Sequence, residues 1–361
     1  MNATQQLKDI GQRIWLDNIT RELVSSGTLQ RYIDEFSVTG LTSNPTIFHH
    51  ALKASAIYDE GIRTKNKAGK TIEELFFELA MEDLTQAADL FRSVHEATSG
   101  LDGWVSLEVS PLLAHDAAAT IRAALQMHAQ FNRPNLLIKI PGTKEGLAAI
   151  EEVIFAGVPV NVTLLFSREQ YLAAAEAYMR GIERRIAAGR DANVASVASV
   201  FISRWDVAIK DKLSIALHNR LGIAIAGRTY KACRDLLASP RWQKIQAAGA
   251  RPQRLLWAST GTKDPAASAT LYIDALAAPD TINTIPEKTL LAVAKQGRVT
   301  SVLPDDGIEG EKELAEFSQA GVDLNELADT LQNEGAAAFT QSWKELLTLI
   351  TAKVEALAPV K

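Results

Sequence analysis

Asn135-Leu136-Leu137-Ile138-Lys139-Ile140-Pro141 sets one lysine inside a run that otherwise reads as a buried strand. Apolar residues at both parities mark a strand covered on both faces, as in a parallel sheet, and the proline is expected to end the pairing. Lys139 then lies at or near the C-terminal end of the strand. Kept from water, its amine gains neutral population, and a neutral amine is what attacks a carbonyl to form a Schiff base. The alternative is a lysine that ion-pairs with an acid on the next strand.

Seven further runs read as strands: Ile14 to Asn18, Val38 to Thr42, Trp104 to Val109, Val160 to Phe166, Ala195 to Ile202, Leu255 to Ser259 and Thr281 to Ile285, with Leu136 to Ile140 as the fourth in order. Between them lie stretches of helical period, among them Ile72 to Val94, Ala117 to Gln130, Glu145 to Ile154, Arg168 to Ala187 and Trp205 to Leu221. Strand then helix, eight times over, is the pattern of a parallel (β/α)8 (TIM) barrel. A doubly wound sheet would want a glycine-rich turn after its first strand, and Trp15-Leu16-Asp17-Asn18-Ile19-Thr20 has no glycine. Two places depart from regular spacing. Helical stretches at Ile47 to Arg63 and Ile72 to Val94 enlarge the connection after the second strand, and three more follow Pro286. We read residues 1–361 as a single barrel domain with a C-terminal helical extension from about 287, packed outside the barrel or across one end. No linker composition or internal repeat divides it.

Over 361 residues the chain is 47% hydrophobic and 22% charged, an ordinary globular composition with material for a large core. A net charge of -5, without clustered Lys and Arg, gives no footprint for nucleic acid. The single cysteine, Cys233, excludes an internal disulfide and sits in a helix-like stretch, where it reads as a buried thiol. The first nine residues lack an apolar signal core, and no apolar run is long enough to cross a bilayer, so the cytoplasm is the expected compartment. None of the six histidines lies in a strand or in a His-x-His pair, which disfavours metal chemistry.

Barrel enzymes draw their chemistry from the C-terminal ends of strands. In the third strand Ser106 and Glu108 share one parity against Val105, Leu107 and Val109, so the acid is expected inside the barrel beside Lys139. The fifth strand repeats this with Asn161 and Thr163, and asparagine is disfavoured in strands unless it has a polar contact. Asp17 ends the first strand as a site acid or a turn residue, and Asn44 ends the second as a site amide or a cap for the helix after Pro45. Late strand ends bring Ser199, Phe201, Arg204, Ser259 and Lys263, a hydroxyl and cation set suited to phosphate, with a plain surface arginine as the other reading of Arg204. Pro141-Gly142-Thr143-Lys144 reads as a turn.

Five motifs in order resemble those of the transaldolase family in its longer bacterial form: Ile14 to Asp17, Gly40 to Phe48, Val105 to Val109, Leu137 to Thr143 and Asn161 to Phe166. The resemblance implies a (β/α)8 barrel that works in the pentose phosphate pathway without metal or organic cofactor. It would move a dihydroxyacetone unit from sedoheptulose 7-phosphate or fructose 6-phosphate to glyceraldehyde 3-phosphate or erythrose 4-phosphate. Matched motif by motif, Lys139 is the Schiff-base lysine, Asp17 the acid/base at the carbon-carbon bond, and Glu108 with Thr163 the pair that holds a catalytic water. Asn44 and Asn161 match amides that orient the dihydroxyacetone hydroxyls, and Ser199 and Arg204 match a substrate-binding serine and a phosphate-binding arginine. Phe201 stands where the shorter fructose-6-phosphate aldolases carry tyrosine, and the chain lacks the second phosphate arginine found two residues after the serine matching Ser259. That position is Gly261, and Lys263 is the next cation. Sugar phosphates are the expected partners, and oligomeric state is not legible.

Overall fold

Eight runs of β-branched and apolar residues form the strands β1 (Arg13–Asp17), β2 (Val38–Thr42), β3 (Trp104–Glu108), β4 (Leu136–Pro141), β5 (Val160–Leu165), β6 (Ser196–Phe201), β7 (Arg254–Ala258) and β8 (Ile282–Ile285). The computed structural model describes residues 2–358. Each strand pairs in parallel with the next and β8 pairs with β1, closing the sheet into a barrel with helices between the strands. All strand bounds fall within one residue of those expected from the sequence. Outward side chains such as Ile138, Ile140, Val160 and Val162 join the helices in one core, while Trp15, Trp104, Leu137, Val197, Leu256 and Ile282 belong to a second cluster inside the barrel. Gly40 is required there, since a Cβ would stand 2.8 Å from the Trp15 ring and 2.7 Å from the Trp104 carbonyl. At the N-terminal end the Trp15 indole and the Thr39 hydroxyl both donate to buried Asp102, at 2.9 Å each.

Pairing does not stop at Pro141, contrary to the reading of its missing N–H. Gly142 N still donates to Thr163 O at 2.7 Å. Lys139 O accepts from Val109 N, so residues of its parity face β3, and Pro141 faces that side one residue pair beyond the end of β3. No donor is needed there.

Three helical expectations are corrected. Trp205 to Leu221 is not one helix but Ser203–Ile209, a single turn at Ile215–Leu217, and a new helix Leu221–Ala238 that contains Cys233. Asn219 at φ +62° breaks the run, and the Asp206 carboxylate caps the new helix by accepting from Leu221 N at 2.9 Å and Gly222 N at 3.2 Å. Ile47 to Arg63 divides at extended Ser55 into Pro45–Ala54 and Asp59–Lys67. Ile72 to Val94 is Ile72–Leu90 followed by Arg92–Ala97, its start fixed by a capping box between Thr71 and Glu74.

Of the three C-terminal helices, Glu287–Gln296, Ile308–Gln319 and Leu324–Ala356, the last crosses the C-terminal mouth of the barrel. Gln332 Nε2 donates to Leu164 O at 2.9 Å and to Gly142 O at 3.2 Å, anchoring the helix to the ends of β5 and β4. Farther along, Trp343 packs edge-on against Phe76 at 5.0 Å, and Lys353 pairs with Asp59 at 2.8 Å.

Candidate active site

Strand register gathers the polar residues. Glu108 is opposite Lys139, Lys139 opposite Asn161, Pro141 opposite Thr163, and Asp17 opposite Thr42, so the expected groups meet at the C-terminal end of one barrel. A pocket of about 320 Å³ opens there, lined by Asp17, Asn44, Lys139, Thr163, Ser199, Phe201, Arg204, Ser259 and Lys263. Glu108 and Asn161 are buried and do not line it. A cavity of about 390 Å³ at the opposite end is lined by Arg13, Arg254 and Trp242 and holds no comparable acid-lysine pair.

Lys139 is 6% exposed. Its Nζ donates to the Ser43 carbonyl at 3.1 Å and lies 3.0 Å from Glu108 Oε2. The lysine is therefore ion-paired, as one reading of the sequence has it, and it also lines the pocket, where the other reading would need it. Both Glu108 oxygens and Thr163 Oγ1 are buried polar atoms without a hydrogen-bond partner among the described residues. Such atoms cost stability, and they are positioned to bind a water or a substrate hydroxyl. Burial raises the Glu108 carboxyl above its ordinary range, with Lys139 opposing and Asp17 adding to the rise.

Asp17 is also raised by burial, against the pull of Lys139 and a hydrogen bond from Thr42 Oγ1 at 2.9 Å. Thr42 Oγ1 is in turn 2.7 Å from Thr284 Oγ1, which holds the chain of hydroxyls in register. Asn44 is the helix cap that was one of its two readings: its Oδ1 caps the helix Pro45–Ala54 by accepting from Ile47 N at 3.1 Å, and the residue also lines the pocket. Asn161 donates to Ser106 Oγ at 3.0 Å and accepts from Ser199 Oγ at 2.7 Å, so it braces Ser199, which lines the pocket.

Arg204 is half-buried and, among the described residues, forms no ion pair; its guanidinium lies over the Phe201 ring at 5.5 Å. Burial lowers its pKa, with Glu334 opposing. It is not the surface arginine that was the alternative reading. Ser259 Oγ is 3.0 Å from Ser203 Oγ, and Lys263 is exposed at the rim. Leu164 and Ser259 adopt φ +58° and +55°, strained values for non-glycine residues, immediately after the site residues of β5 and at the end of β7.

Thr42, Thr284, His50 and Phe339 also line the pocket and were not singled out in the sequence. Phe339 had no local signal, because Leu331, Phe339, Trp343, Leu346 and Ile350 read as the ordinary apolar stripe of an amphipathic helix. Thr42 was visible in its motif, but a threonine in a strand is unremarkable. The Pro141 to Lys144 segment is a turn, with Thr143 capping the helix Lys144–Ala156. Among the described residues no group of His, Cys, Asp and Glu is arranged to hold a metal ion, and no helix is long and apolar enough to cross a membrane.

The sequence model of the Transaldolase/Fructose-6-phosphate aldolase family matches residues 14–350. A protein of Saccharopolyspora erythraea named "Transaldolase" is 43% identical over 358 residues, covering 97% of each chain. One of Thermobifida fusca with the same name is 42% identical over 365 residues, 98% of each chain, and "Transaldolase 2" of Nostoc punctiforme is 40% identical over 380, 99% of each. With a buried lysine at the mouth of a closed parallel barrel and relatives matched end to end, the chain belongs to the transaldolase family.

Proposed function

We propose that this protein is a transaldolase that carries a dihydroxyacetone unit from a ketose phosphate to an aldose phosphate as a Schiff base on Lys139. The observation that carries the reading is Lys139 Nζ at 3.0 Å from buried Glu108, beside a pocket lined by Lys139, Asp17 and an Arg204 without an ion-pair partner among the described residues. Lys139 adds to the ketose C2 carbonyl after giving its proton to Glu108, whose raised pKa suits it to accept and return protons. Glu108 and Thr163 then use their free polar atoms to hold the water through which hydroxide is expelled as the iminium forms. The iminium is an electron sink. Asp17 takes the proton of the C4 hydroxyl, the C3–C4 bond breaks, and an aldose phosphate leaves while a three-carbon enamine stays on Lys139. Asn44, and Asn161 through Ser199, orient the fragment, and Arg204 with Lys263 binds the phosphate. The enamine attacks the incoming aldehyde, and hydrolysis of the new iminium returns the lysine. A cytoplasmic location is part of the same proposal.

Transferase is favoured over lyase by Phe201, which lines the pocket where the resembling aldolases have tyrosine. Fructose 6-phosphate supplied with erythrose 4-phosphate is expected to yield sedoheptulose 7-phosphate, with little turnover when the acceptor is withheld. Full turnover of fructose 6-phosphate alone, with release of free dihydroxyacetone, would show a lyase instead.

A further inference from the structure

We infer that Phe339, on the helix across the barrel mouth, is a specificity-determining residue that keeps water from the lysine adduct and so reserves the three-carbon fragment for transfer. The inference rests on the transferase reading above. The Phe339 ring centroid is 5.3 Å from Lys139 Nζ, the residue is 8% exposed, and it lines the pocket. Phe201, the other phenylalanine of the pocket, lies instead under Arg204 and against Phe166, leaving the lysine to Phe339.

The helix that carries Phe339 is fixed on both sides of it. Gln332, on one side, holds the ends of β4 and β5, and Trp343, on the other, packs against Phe76 and Phe77 at 5.0 and 5.5 Å. Gly335 lets the helix approach closely, since a Cβ there would stand 3.0 Å from Leu164 and 3.2 Å from the Arg204 guanidinium. The ring is a fixed wall rather than a mobile lid.

The chemistry makes that wall consequential. An enamine on Lys139 has two fates. Its nucleophilic carbon either bonds to the acceptor aldehyde carbon or takes a proton from solvent. Once protonated it is an iminium. Water then adds to the imine carbon, the C–N bond breaks, and free dihydroxyacetone leaves as the lysine amine is restored. The second route starts with a solvent proton reaching the enamine carbon, and an apolar ring at the mouth side of the lysine obstructs that approach. Glu108 and Thr163 can still manage one held water on the barrel side, so Schiff-base formation and product hydrolysis are preserved.

The test compares wild type with Phe339→Ala, Phe339→Leu and Phe339→Gln, using fructose 6-phosphate and erythrose 4-phosphate in deuterated water. Borohydride reduction with fructose 6-phosphate first establishes the lysine adduct in each protein. The ratio of free, deuterium-bearing dihydroxyacetone to transferred product is expected to rise about tenfold in the alanine variant and to stay near wild type with leucine, which restores an apolar wall. Glutamine, similar in length but able to bind water, is expected to leak like alanine, and the leucine and glutamine pair decides the matter if the alanine variant does not fold. A normal ratio in the alanine or glutamine variant, with the adduct still trapped, overturns the role of Phe339. Absence of any adduct in wild type instead removes the Schiff-base reading, and the role of Phe339 with it.

Discussion

Replacing Thr163 with valine should leave the fold about as stable while slowing the reaction. Thr163 Oγ1 is fully buried and has no hydrogen-bond partner among the described residues. Valine replaces the hydroxyl with a methyl group of nearly the same shape and gives up the water that the hydroxyl is assigned to hold, an exchange of a polar pair for an apolar group that is close to neutral. The fold should therefore change by less than about 1 kcal/mol. With a urea slope of about 3 kcal/mol/M for a chain of this size, the denaturation midpoint should move by no more than about 0.3 M. The same hydroxyl is assigned to holding the water that serves Schiff-base chemistry, so kcat should fall by about 100-fold, toward the low end of what positioned proton transfer supplies. Tryptophan fluorescence in urea, drawing on six tryptophans, reads the first quantity and steady-state transfer the second. A strongly destabilised Thr163→Val protein would mean that the hydroxyl is held by the fold and not by a water. An unchanged kcat would mean that it has no part in the reaction.

Thr42→Val removes the donor that lowers the pKa of Asp17, so the acidic limb of the kcat/KM profile, where Asp17 loses its basic form, should move to higher pH; a limb that stays in place would separate Asp17 from the rate. Arg204→Ala should raise KM for fructose 6-phosphate by about 10–100-fold, the worth of charge-assisted bonds, while leaving borohydride trapping of unphosphorylated dihydroxyacetone intact. Equal losses with both substrates would place Arg204 outside phosphate binding. Asp206, buried at the cap of Leu221–Ala238, is raised by burial from 3.8 to about 6, against hydrogen bonds from Tyr272, Gly222 and Leu221. Its contribution to stability is present below the unfolded value and lost as pH rises through about 6. The stability of wild type relative to Asp206→Asn should therefore fall by about 2.4 kcal/mol between pH 4 and pH 7, and a difference constant with pH would refute it.

Strands were legible because the barrel is buried on both faces of its sheet, and short apolar runs with inward polar breaks, such as Ser106 with Glu108 or Asn161 with Thr163, report that geometry directly. The parity of Glu108 against Lys139 in particular anticipated a contact of 3.0 Å. Pro141 misled because its effect depends on which neighbour its nitrogen faces, a property of register rather than of residue type. The break after Ile209 was missed for a similar reason. Asp206 caps a helix 15 residues away, and nothing in the local period marks that pairing. Phe339 lay furthest from sequence reasoning, since its proximity to Lys139 arises only from a 33-residue helix laid across the barrel by distant contacts.

The covalent role of Lys139 is tested most directly by reducing the enzyme with borohydride in the presence of fructose 6-phosphate and mapping the modified peptide. The expected result is one reduced three-carbon adduct, on Lys139, absent from Lys139→Ala. Modification of Lys263, which lines the same pocket, or no adduct at all, would contradict it.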